Sequence, residues 1–375
     1  MRRMRMLVLA AVLIGLLALS GAAFAEITAC VTEIAKYGNL VLDINGAQLL
    51  ADGVEYGDLL DVTILGKTLT LPLGSNYSDV DTGMPVVRAE APGEAVTVAV
   101  NMGDFATTAG IAVKHKTEEE PGYRWEYLTE LPVRVTLTLA QASGYRNQWL
   151  IRQLVRTNER TDYAHLSDEA FANFRMVDTA GMGKGKLYRS SSPINPEIGR
   201  SAYADAAARA AGIATVINLA DASNTYETPE GAYYPGCRVV YLNLGVDFED
   251  PAFKEGVAEG LRFIIAEEAP YLVHCSEGKD RAGFVSALLE CLMGAAADEV
   301  IADYMETYVN YYGVEPGTEK YDAVVSSNIV KALETAFHVE DLHAADLAAE
   351  AEAFLLEELG LSAEETDALR DRLGE

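Results

Sequence analysis

The chain of 375 residues contains 29 Lys and Arg against 57 Asp and Glu, which gives a net charge of −28, and half of its residues are hydrophobic. This composition excludes a disordered acidic protein, and the length suffices for about two domains with hydrophobic cores. The charge disfavours nucleic acids and anionic membrane surfaces as partners, because both are themselves negatively charged.

The N-terminus has the layout of a secretory signal peptide. A basic segment, 1–6, precedes an apolar run, 7–19, and small residues lead to an A-x-A pattern that ends at Ala25. We expect cleavage after Ala25, a mature chain with a net charge of −31, and a location outside the cell or in its envelope. The apolar run is short for a transmembrane helix, so we expect no stable membrane span after cleavage.

Residues 26–140 predict an all-β N-terminal domain. Short runs rich in Val and Thr, such as 59–73 and 132–139, alternate apolar and polar residues, and Gly, Asn and Asp interrupt them at short intervals. This pattern is typical of a small barrel or a sandwich. The segment resembles the C-terminal β-domain of the S-adenosylmethionine hydroxide adenosyltransferases, through Y-G-N-L-V at 37–41, Y-S-D at 77–79 and V-A-V-N-M-G at 98–103. The resemblance implies the β fold of that family and not its chemistry.

A polar segment, 141–165, connects this domain to a second one at 166–375, in which strands and helices alternate. Strands are predicted at 187–189, 213–219, 239–244 and 271–274, and helices at 201–211, 253–268, 281–293, 298–312, 321–337, 344–359 and 362–373. The alternation predicts an α/β domain with a central, mainly parallel sheet flanked by helices, followed by a helical C-terminal part.

The residues expected to carry chemistry lie between the strand 271–274 and the helix 281–293. A loop at such a position directs backbone N–H groups and a helix N-terminus at one point, which forms a cradle for a phosphate. Cys275 begins the loop in this positive field, which favours its nucleophilic thiolate form. Arg281 can bind two phosphate oxygens with its planar guanidinium, and Gly278 permits the tight turn. Nucleophilic attack on a phosphate ester requires these groups.

The string H-C-S-E-G-K-D-R-A-G at 274–283 resembles the H-C-x5-R signature of the Cys-based protein tyrosine phosphatase superfamily. It is most similar to the bacterial branch with H-C-x-x-G-K-D-R-x-G, which includes secreted enzymes that act on phosphotyrosine and phosphoinositides. Further motifs of that branch are matched by N-F-R at 173–175, G-K-L-Y-R-S at 185–190 and G-I-A-T-V-I-N-L at 212–219. The likeness extends from about residue 168 to the C-terminus and implies an α/β phosphatase domain.

By this resemblance, three residues act directly in catalysis. Cys275 is the nucleophile that forms a cysteinyl-phosphate, Arg281 binds the phosphate and stabilises the transition state, and His274 orients the cysteine and helps to keep it ionised. The loop residues expected to bind the substrate are Ser276, Glu277, Gly278, Lys279, Ala282 and Gly283. Lys279 would add positive charge for recognition of a polyphosphorylated head group. No metal and no cofactor are expected, because the loop and Arg281 supply the charge stabilisation.

Three aspartates are candidates for the general acid that protonates the leaving oxygen. Asp247 follows the strand 239–244, where the mobile acid loop of the superfamily falls, whereas Asp280 lies inside the phosphate loop and resembles the acid of myotubularin-type phosphatases. Asp221 is a third candidate, because it follows the strand 213–219 where related enzymes also carry an aspartate.

Ala282 departs from the superfamily, which usually has Ser or Thr at this position. That hydroxyl assists the departing thiolate, so we expect slower hydrolysis of the cysteinyl-phosphate rather than loss of attack.

The leading hypothesis is therefore an exported bacterial phosphatase, of tyrosine or dual specificity, with a phosphorylated protein or a phosphoinositide as substrate. Three alternatives remain open. They are a phytase-like hydrolase of inositol phosphates, a phosphate-binding module without turnover, and a rhodanese-type sulfurtransferase, whose loop is commonly shorter. The four Cys and five His form no CxxC or HExxH motif, so neither a disulfide scaffold nor a zinc site is expected.

Overall fold

The computed structural model describes residues 26–51, 53–90, 93–227 and 229–374, so the predicted signal peptide lies outside the described residues. The chain forms two compact units that divide between Tyr145 and Arg146, inside the segment 141–165 predicted to connect the domains. In the described part of the chain, no helix is both long and apolar enough to cross a membrane.

The first unit is a closed β-barrel with a separate hairpin. Its described elements are β1 (Ile27–Ile34), β2 (Leu40–Asn45), α1 (Gly46–Ala51), β3 (Leu59–Ile64), β4 (Lys67–Gly74), β5 (Pro85–Arg88), β6 (Ala95–Val100), α2 (Phe105–Thr108), β7 (Ala112–Lys116), β8 (Tyr123–Tyr127) and β9 (Val133–Gln141). The barrel closes in the order β1-β2-β6-β5-β4-β3-β9, and β7 pairs with β8 to form the hairpin.

The barrel decides between the two β architectures that the sequence pattern left open. Leu60, Val62 and Ile64 of β3 are buried while the residues between them are half-buried, as expected where one face of each strand lines the barrel core. The run 59–73 forms two strands and not one, because Leu65 and Gly66 both have positive φ and make a two-residue hairpin turn. The unit is β-rich rather than strictly all-β, since α1 and α2 interrupt the strands.

The second unit is an α/β domain. Its described elements are α3 (Arg146–Arg152), α4 (Asp168–Phe171), β10 (Arg175–Met176), β11 (Leu187–Ser190), α5 (Ser201–Ala211), β12 (Thr215–Asn218), β13 (Arg238–Tyr241), α6 (Pro251–Ala266), β14 (Tyr271–His274), α7 (Asp280–Met293), α8 (Ala297–Tyr312), α9 (Glu319–Ser327), α10 (Ile329–Phe337), α11 (Leu347–Ala353) and α12 (Ala363–Leu373). The sheet has the order β10-β11-β14-β12-β13, in which only β10 is antiparallel to its neighbour.

The central helix α7 is buried on all sides. Every residue from Ala282 to Leu292 is buried, and α7 packs against β14, β11, α8, α10 and α11. A helix that is enclosed in this way needs apolar residues around its whole circumference, which explains why its sequence shows no polar face. The enclosure fixes the N-terminus of α7 next to the end of β14.

The predicted helix 321–337 is broken in the structure. Asn328 leaves the helical conformation (φ −108°, ψ −91°), and its side-chain amide donates a hydrogen bond of 2.7 Å to the hydroxyl of Tyr308. The chain therefore forms α9 and α10 with a bend between them. The predicted helix 344–359 begins only at Leu347, after its N-cap Asp346, and continues past α11 as a π-helical turn at Phe354–Glu358.

Candidate active site

The predicted phosphate loop lies at the centre of the sheet. Strand β14 lies between β11 and β12, ends at His274 and is followed by the loop and α7. Cys275 is therefore at the carboxyl edge of a parallel sheet and before a helix N-terminus, the arrangement in which α/β domains bind anions. Its thiol is not in a disulfide, and only 3% of the residue is exposed.

One glycine of the loop and one in the first turn of α7 allow close approaches of neighbouring chain. Gly278 has φ +69°, and a Cβ added to it would lie 2.2 Å from the carbonyl oxygen of Ser190. A Cβ on Gly283 would lie 2.6 Å from the ring of Tyr304 on α8. Both positions therefore exclude larger residues, the first because of backbone conformation and contact, the second because α7 and α8 approach closely.

Side chains from outside the loop bind its carbonyl groups. The amide of Asn173 donates to the carbonyl oxygens of Glu277 and Gly278, both at 3.1 Å. Arg189 donates to Gly278 O at 2.9 Å, and the hydroxyl of Tyr311 donates to Glu277 O at 2.8 Å. Carbonyls that bond outward leave the N–H groups to the inner side of the loop, where a phosphate would lie.

Arg281 folds back over the start of the loop. Its Nη2 donates to the hydroxyl of Ser276 at 3.1 Å, and its Nη1 donates to the carbonyl oxygen of Leu244 at 2.8 Å. Since Ser276 directly follows Cys275, the guanidinium lies beside the cysteine end of the loop. The structure thus brings together the predicted nucleophile and the predicted phosphate-binding cation.

His274 is fully buried behind the cysteine. Its Nδ1 lies 3.3 Å from Cys275 O, and its Nε2 lies 3.3 Å from the hydroxyl of Tyr234. Burial lowers the pKa of His274 to about 4, so the imidazole is neutral at pH 7. It can orient the cysteine backbone, but it adds no positive charge to the site.

Asp221 belongs to the same buried network. The amide of Asn218 donates to the Asp221 carboxylate at 3.1 Å and to the hydroxyl of Tyr234 at 3.2 Å, and Tyr226 donates to Asp221 at 3.2 Å. These bonds connect Asp221 to His274 through Asn218 and Tyr234. Tyr234 lies outside the motifs matched in the sequence, so the sequence did not indicate that it contacts His274.

The other two acid candidates line one cleft of about 480 Å³. Asp280 is the first residue of α7, and burial raises its pKa although Lys279 opposes the shift; 44% of its side chain remains exposed. Asp247 is exposed, and its carboxylate accepts a hydrogen bond from the backbone of Glu249 at 3.1 Å. Aromatic side chains form part of the cleft wall, among them Phe248, Phe284, Tyr304 and Phe354.

Lys279 is enclosed by neighbours and does not point freely to solvent. Its ammonium lies 3.4 Å from Glu277 and 3.7 Å from Asp280, and it donates to the hydroxyl of Tyr312 at 3.3 Å. Burial works against its charge, but the adjacent Asp280 and Glu277 carboxylates outweigh this effect and raise its pKa. The charge predicted to recognise a second phosphate is thus largely neutralised within the loop.

A buried ion network beneath the loop was not predicted. Arg189 is fully buried and donates both to Gly278 O and to Asp303 at 2.5 Å, while Arg175 donates to Asp303 at 2.7 Å. Burial opposes the charge of Asp303, but the two arginines outweigh it and lower its pKa to about 2. Both arginines belong to motifs matched in the sequence, N-F-R and L-Y-R-S. The motifs identified the two residues, but nothing in the sequence indicated that they form an ion network.

Ala282 is fully buried in the first turn of α7, so no hydroxyl is present at that position. In the described residues, no group of three or more His, Cys, Asp or Glu is arranged to hold a metal ion.

Two known families match parts of the chain. Residues 170–375, more than half of the chain, match the model of the tyrosine phosphatase family, and the chain belongs to that family. Residues 29–118 match the C-terminal domain of the S-adenosylmethionine hydroxide adenosyltransferases. Both resemblances stated from the sequence are therefore confirmed.

Similarity to individual proteins is low. No curated protein matches the chain significantly in sequence. The core catalytic domain of the PP-IP phosphatase SIW14 from S. cerevisiae, in complex with citrate, is 15% identical over 44% of this chain and 91% of its own, with a TM-score of 0.27. An uncharacterized conserved protein from Thermotoga maritima is 18% identical over 30% of this chain, with a TM-score of 0.24, and the match spans 36% of its length. Similarity at this level does not establish a shared fold or function.

Proposed function

We propose that the second unit hydrolyses phosphate monoesters through a cysteinyl-phosphate intermediate, with phosphotyrosine as its class of substrate. The main support is the loop, in which the guanidinium of Arg281 binds Ser276, the residue after Cys275, while side chains outside the loop bind its carbonyls. A nucleophile, N–H donors and a forked cation around one phosphate-sized position are what attack on a phosphate ester requires. Membership of the tyrosine phosphatase family supports the same activity.

The proposed reaction has two steps. The Cys275 thiolate attacks phosphorus, the P–O bond to the leaving group breaks, and the proton of Asp280 passes to the leaving oxygen. Water then attacks the cysteinyl-phosphate and gives a proton to Asp280, and the S–P bond breaks to return the thiolate and release inorganic phosphate. Arg281 and the N–H groups of the loop stabilise the charge on the phosphoryl oxygens in both steps.

We favour Asp280 over Asp247 as the general acid. Burial raises the pKa of Asp280, so a larger fraction of it carries a proton near neutral pH. It also directly precedes Arg281, the residue that would hold the phosphoryl group.

The cleft that contains Asp280 supports an aromatic leaving group. The rings of Phe248 and Phe284 stack with their centroids 4.5 Å apart, and Tyr304 lines the same cleft. Phe284 and Tyr304 are buried, so the partly exposed ring of Phe248 is the aromatic surface that a substrate ring would contact. The enclosure of Lys279 by two carboxylates disfavours polyphosphorylated inositol substrates, because that cation is already paired.

The test is phosphate release from a phosphotyrosine peptide, p-nitrophenyl phosphate and inositol phosphates, with and without EDTA. The variant Cys275→Ser should release no phosphate, whereas Cys237→Ser, which changes another free and partly exposed cysteine, should act like the wild type. Unchanged release by Cys275→Ser refutes the mechanism. Inhibition by EDTA contradicts the proposal that no metal takes part, and no release from any substrate supports the phosphate-binding module instead.

We also propose that the protein is exported and that its signal peptide is removed after Ala25. The basic start, the apolar run and the A-x-A pattern support this proposal. N-terminal sequencing of the protein secreted by a bacterial host should begin at Glu26. A protein that keeps Met1 would contradict it.

A further inference from the structure

Glu277 introduces a carboxylate into the loop that is proposed to bind a phosphate dianion. Only 25% of its side chain is exposed, so water screens this charge poorly. Without compensation, the carboxylate would repel the phosphate and lower its affinity for the loop. Two cations lie next to Glu277, namely Lys279 at 3.4 Å and Arg156, whose Nη2 donates to its Oε1.

The two cations are not equivalent. Lys279 is shared, because it also lies 3.7 Å from Asp280. The guanidinium of Arg156, in contrast, pairs with the carboxylate of Glu277. Its Nη1 donates to the side chain of Asn158 at 2.6 Å, which orients the guanidinium.

The same part of the loop is also held through its backbone. Tyr311 donates its hydroxyl to the carbonyl of Glu277 at 2.8 Å, and the guanidinium of Arg156 lies 6.0 Å from the centroid of the Tyr311 ring. Arg156 therefore binds the side chain of Glu277, and Tyr311 binds its main chain. Arg156 lies between α3 and α4, ahead of residue 170 where the match to the family model begins.

We propose that Arg156 is a positioning residue of the phosphate loop, which neutralises Glu277 and so sets the affinity of the loop for phosphate dianions. The inference rests on the part of the proposed function that concerns phosphate binding and does not require turnover. Removal of the arginine leaves a partly buried carboxylate paired only with the shared Lys279, and removal of the carboxylate makes the arginine dispensable.

The experiment measures binding of inorganic phosphate to the full chain through protection of Cys275 from alkylation by iodoacetamide. Arg156→Gln should raise the dissociation constant of phosphate about tenfold, because the uncompensated charge of the partly buried Glu277 then repels the dianion. Glu277→Gln should bind phosphate at least as tightly as the wild type. The double variant Arg156→Gln/Glu277→Gln should return to within about twofold of Glu277→Gln, because the repelling charge is gone. The matched control is Arg160→Gln, which removes an arginine of the same segment that pairs with Asp168 at 2.9 Å and should bind phosphate like the wild type.

Equal dissociation constants for Arg156→Gln and the wild type would overturn the inference. A double variant as weak as Arg156→Gln would overturn it as well, since the arginine would then act through folding and not through the charge of Glu277. Thermal unfolding shows whether Arg156→Gln is folded; if it is not, weaker binding by Glu277→Gln alone overturns the inference. A wild type that binds phosphate but releases none from any ester refutes the proposed function and leaves this inference standing, whereas absence of phosphate binding refutes both.

Discussion

Glu290, in the second unit, has a strongly raised pKa because of its surroundings. It lies in the middle of α7 and is fully buried. Burial and the nearby negative charge of Asp303 raise the pKa of Glu290 well above its ordinary value. The folded protein therefore binds this proton more tightly than the unfolded chain, so folding takes up a proton at pH values between the two pKa values.

This proton uptake predicts that Glu290→Gln stabilises the folded protein, and that the stabilisation increases with pH. The folded-state pKa is raised, so the contribution of Glu290 to stability is fully present below its unfolded pKa and is lost as the pH rises towards the folded value. The advantage of the variant over the wild type should grow by about 1.4 kcal/mol in the free energy of unfolding for each pH unit in that window. Urea unfolding at pH 5, 6 and 7 measures it. A constant difference at the three pH values would show that Glu290 is ionised in the folded state.

Asp280 is the proposed general acid, and its replacement tests that role. Asp280→Asn should lower turnover of a phosphotyrosine peptide about a hundredfold, and turnover of p-nitrophenyl phosphate much less, because nitrophenolate leaves without a proton. Since the acid must be protonated, wild-type activity should decline as the pH rises through the raised pKa of Asp280, and the variant should lack this decline. Rate profiles of both proteins across the acidic and neutral pH range, from about pH 4 to 9, test this. A larger loss of turnover in Asp247→Asn would assign the acid to Asp247.

At the scale of elements, the strand–loop–helix unit β14–α7 depends on its neighbours. The loop is tied to α8 and to the strands β10 and β11 by Asp303, Arg175 and Arg189, which form one buried network. Removal of Asp303 would leave the two arginines buried without a carboxylate, and removal of the arginines would leave Asp303 buried without a cation. Either change is expected to be strongly destabilising. The phosphate loop therefore keeps its shape because several elements hold it, and not because of its own sequence alone.

The variant Gly278→Ala tests whether phosphate binding depends on the shape of the loop. Gly278→Ala combines a positive φ with a Cβ that meets the Ser190 carbonyl at 2.2 Å, so the loop must move. Phosphate binding and turnover should both fall at least tenfold, with a loss of stability of about 1–3 kcal/mol. The matched variant is Gly294→Ala at the end of α7, which has φ +93° and no heavy atom within 4 Å of an added Cβ. It should lose stability and keep phosphate binding; equal loss of binding in both variants would contradict the role of the Ser190 contact.

At the scale of the whole molecule, the net charge of −28 opposes the approach of an anionic substrate. Among the cations around the loop, Arg156 is paired with Glu277, while Arg175 and Arg189 share the carboxylate of Asp303. Long-range electrostatic attraction should therefore be weak, although the loop itself favours a phosphate.

Salt dependence tests this balance. The kcat/KM for a phosphotyrosine peptide that carries net negative charge should stay constant or rise between low salt and 0.3 M NaCl, because salt screens the overall repulsion first. A phosphotyrosine peptide of the same length, in which Asn and Gln replace the acidic residues, serves as the comparison. A steep fall of kcat/KM with salt would reveal a positive face that attracts the substrate.

The sequence predicted local elements well and their assembly less well. The helix 201–211 and the strand 271–274 lie where they were predicted, because their patterns are local. Closure of the barrel could not be predicted, since it depends on the pairing of β1 with β9, where Ile27 lies opposite Leu137. No periodicity in either strand encodes a partner that far away in the chain. The bend at Asn328 was missed for the same reason, because its partner Tyr308 lies on another helix.

By itself, the sequence determined the α/β class of the second unit, the family and the phosphate loop from Cys275 to Arg281, because the groups that cradle a phosphate are contiguous there. Only the tertiary structure decided the electrostatics of that loop. From the sequence, Glu277 and Asp280 offset Lys279 and Arg281; the folded chain adds Arg156 beside Glu277, and it adds Arg189 at Gly278. Charges act through space and burial strengthens them, so distant residues set the field that binds the phosphate.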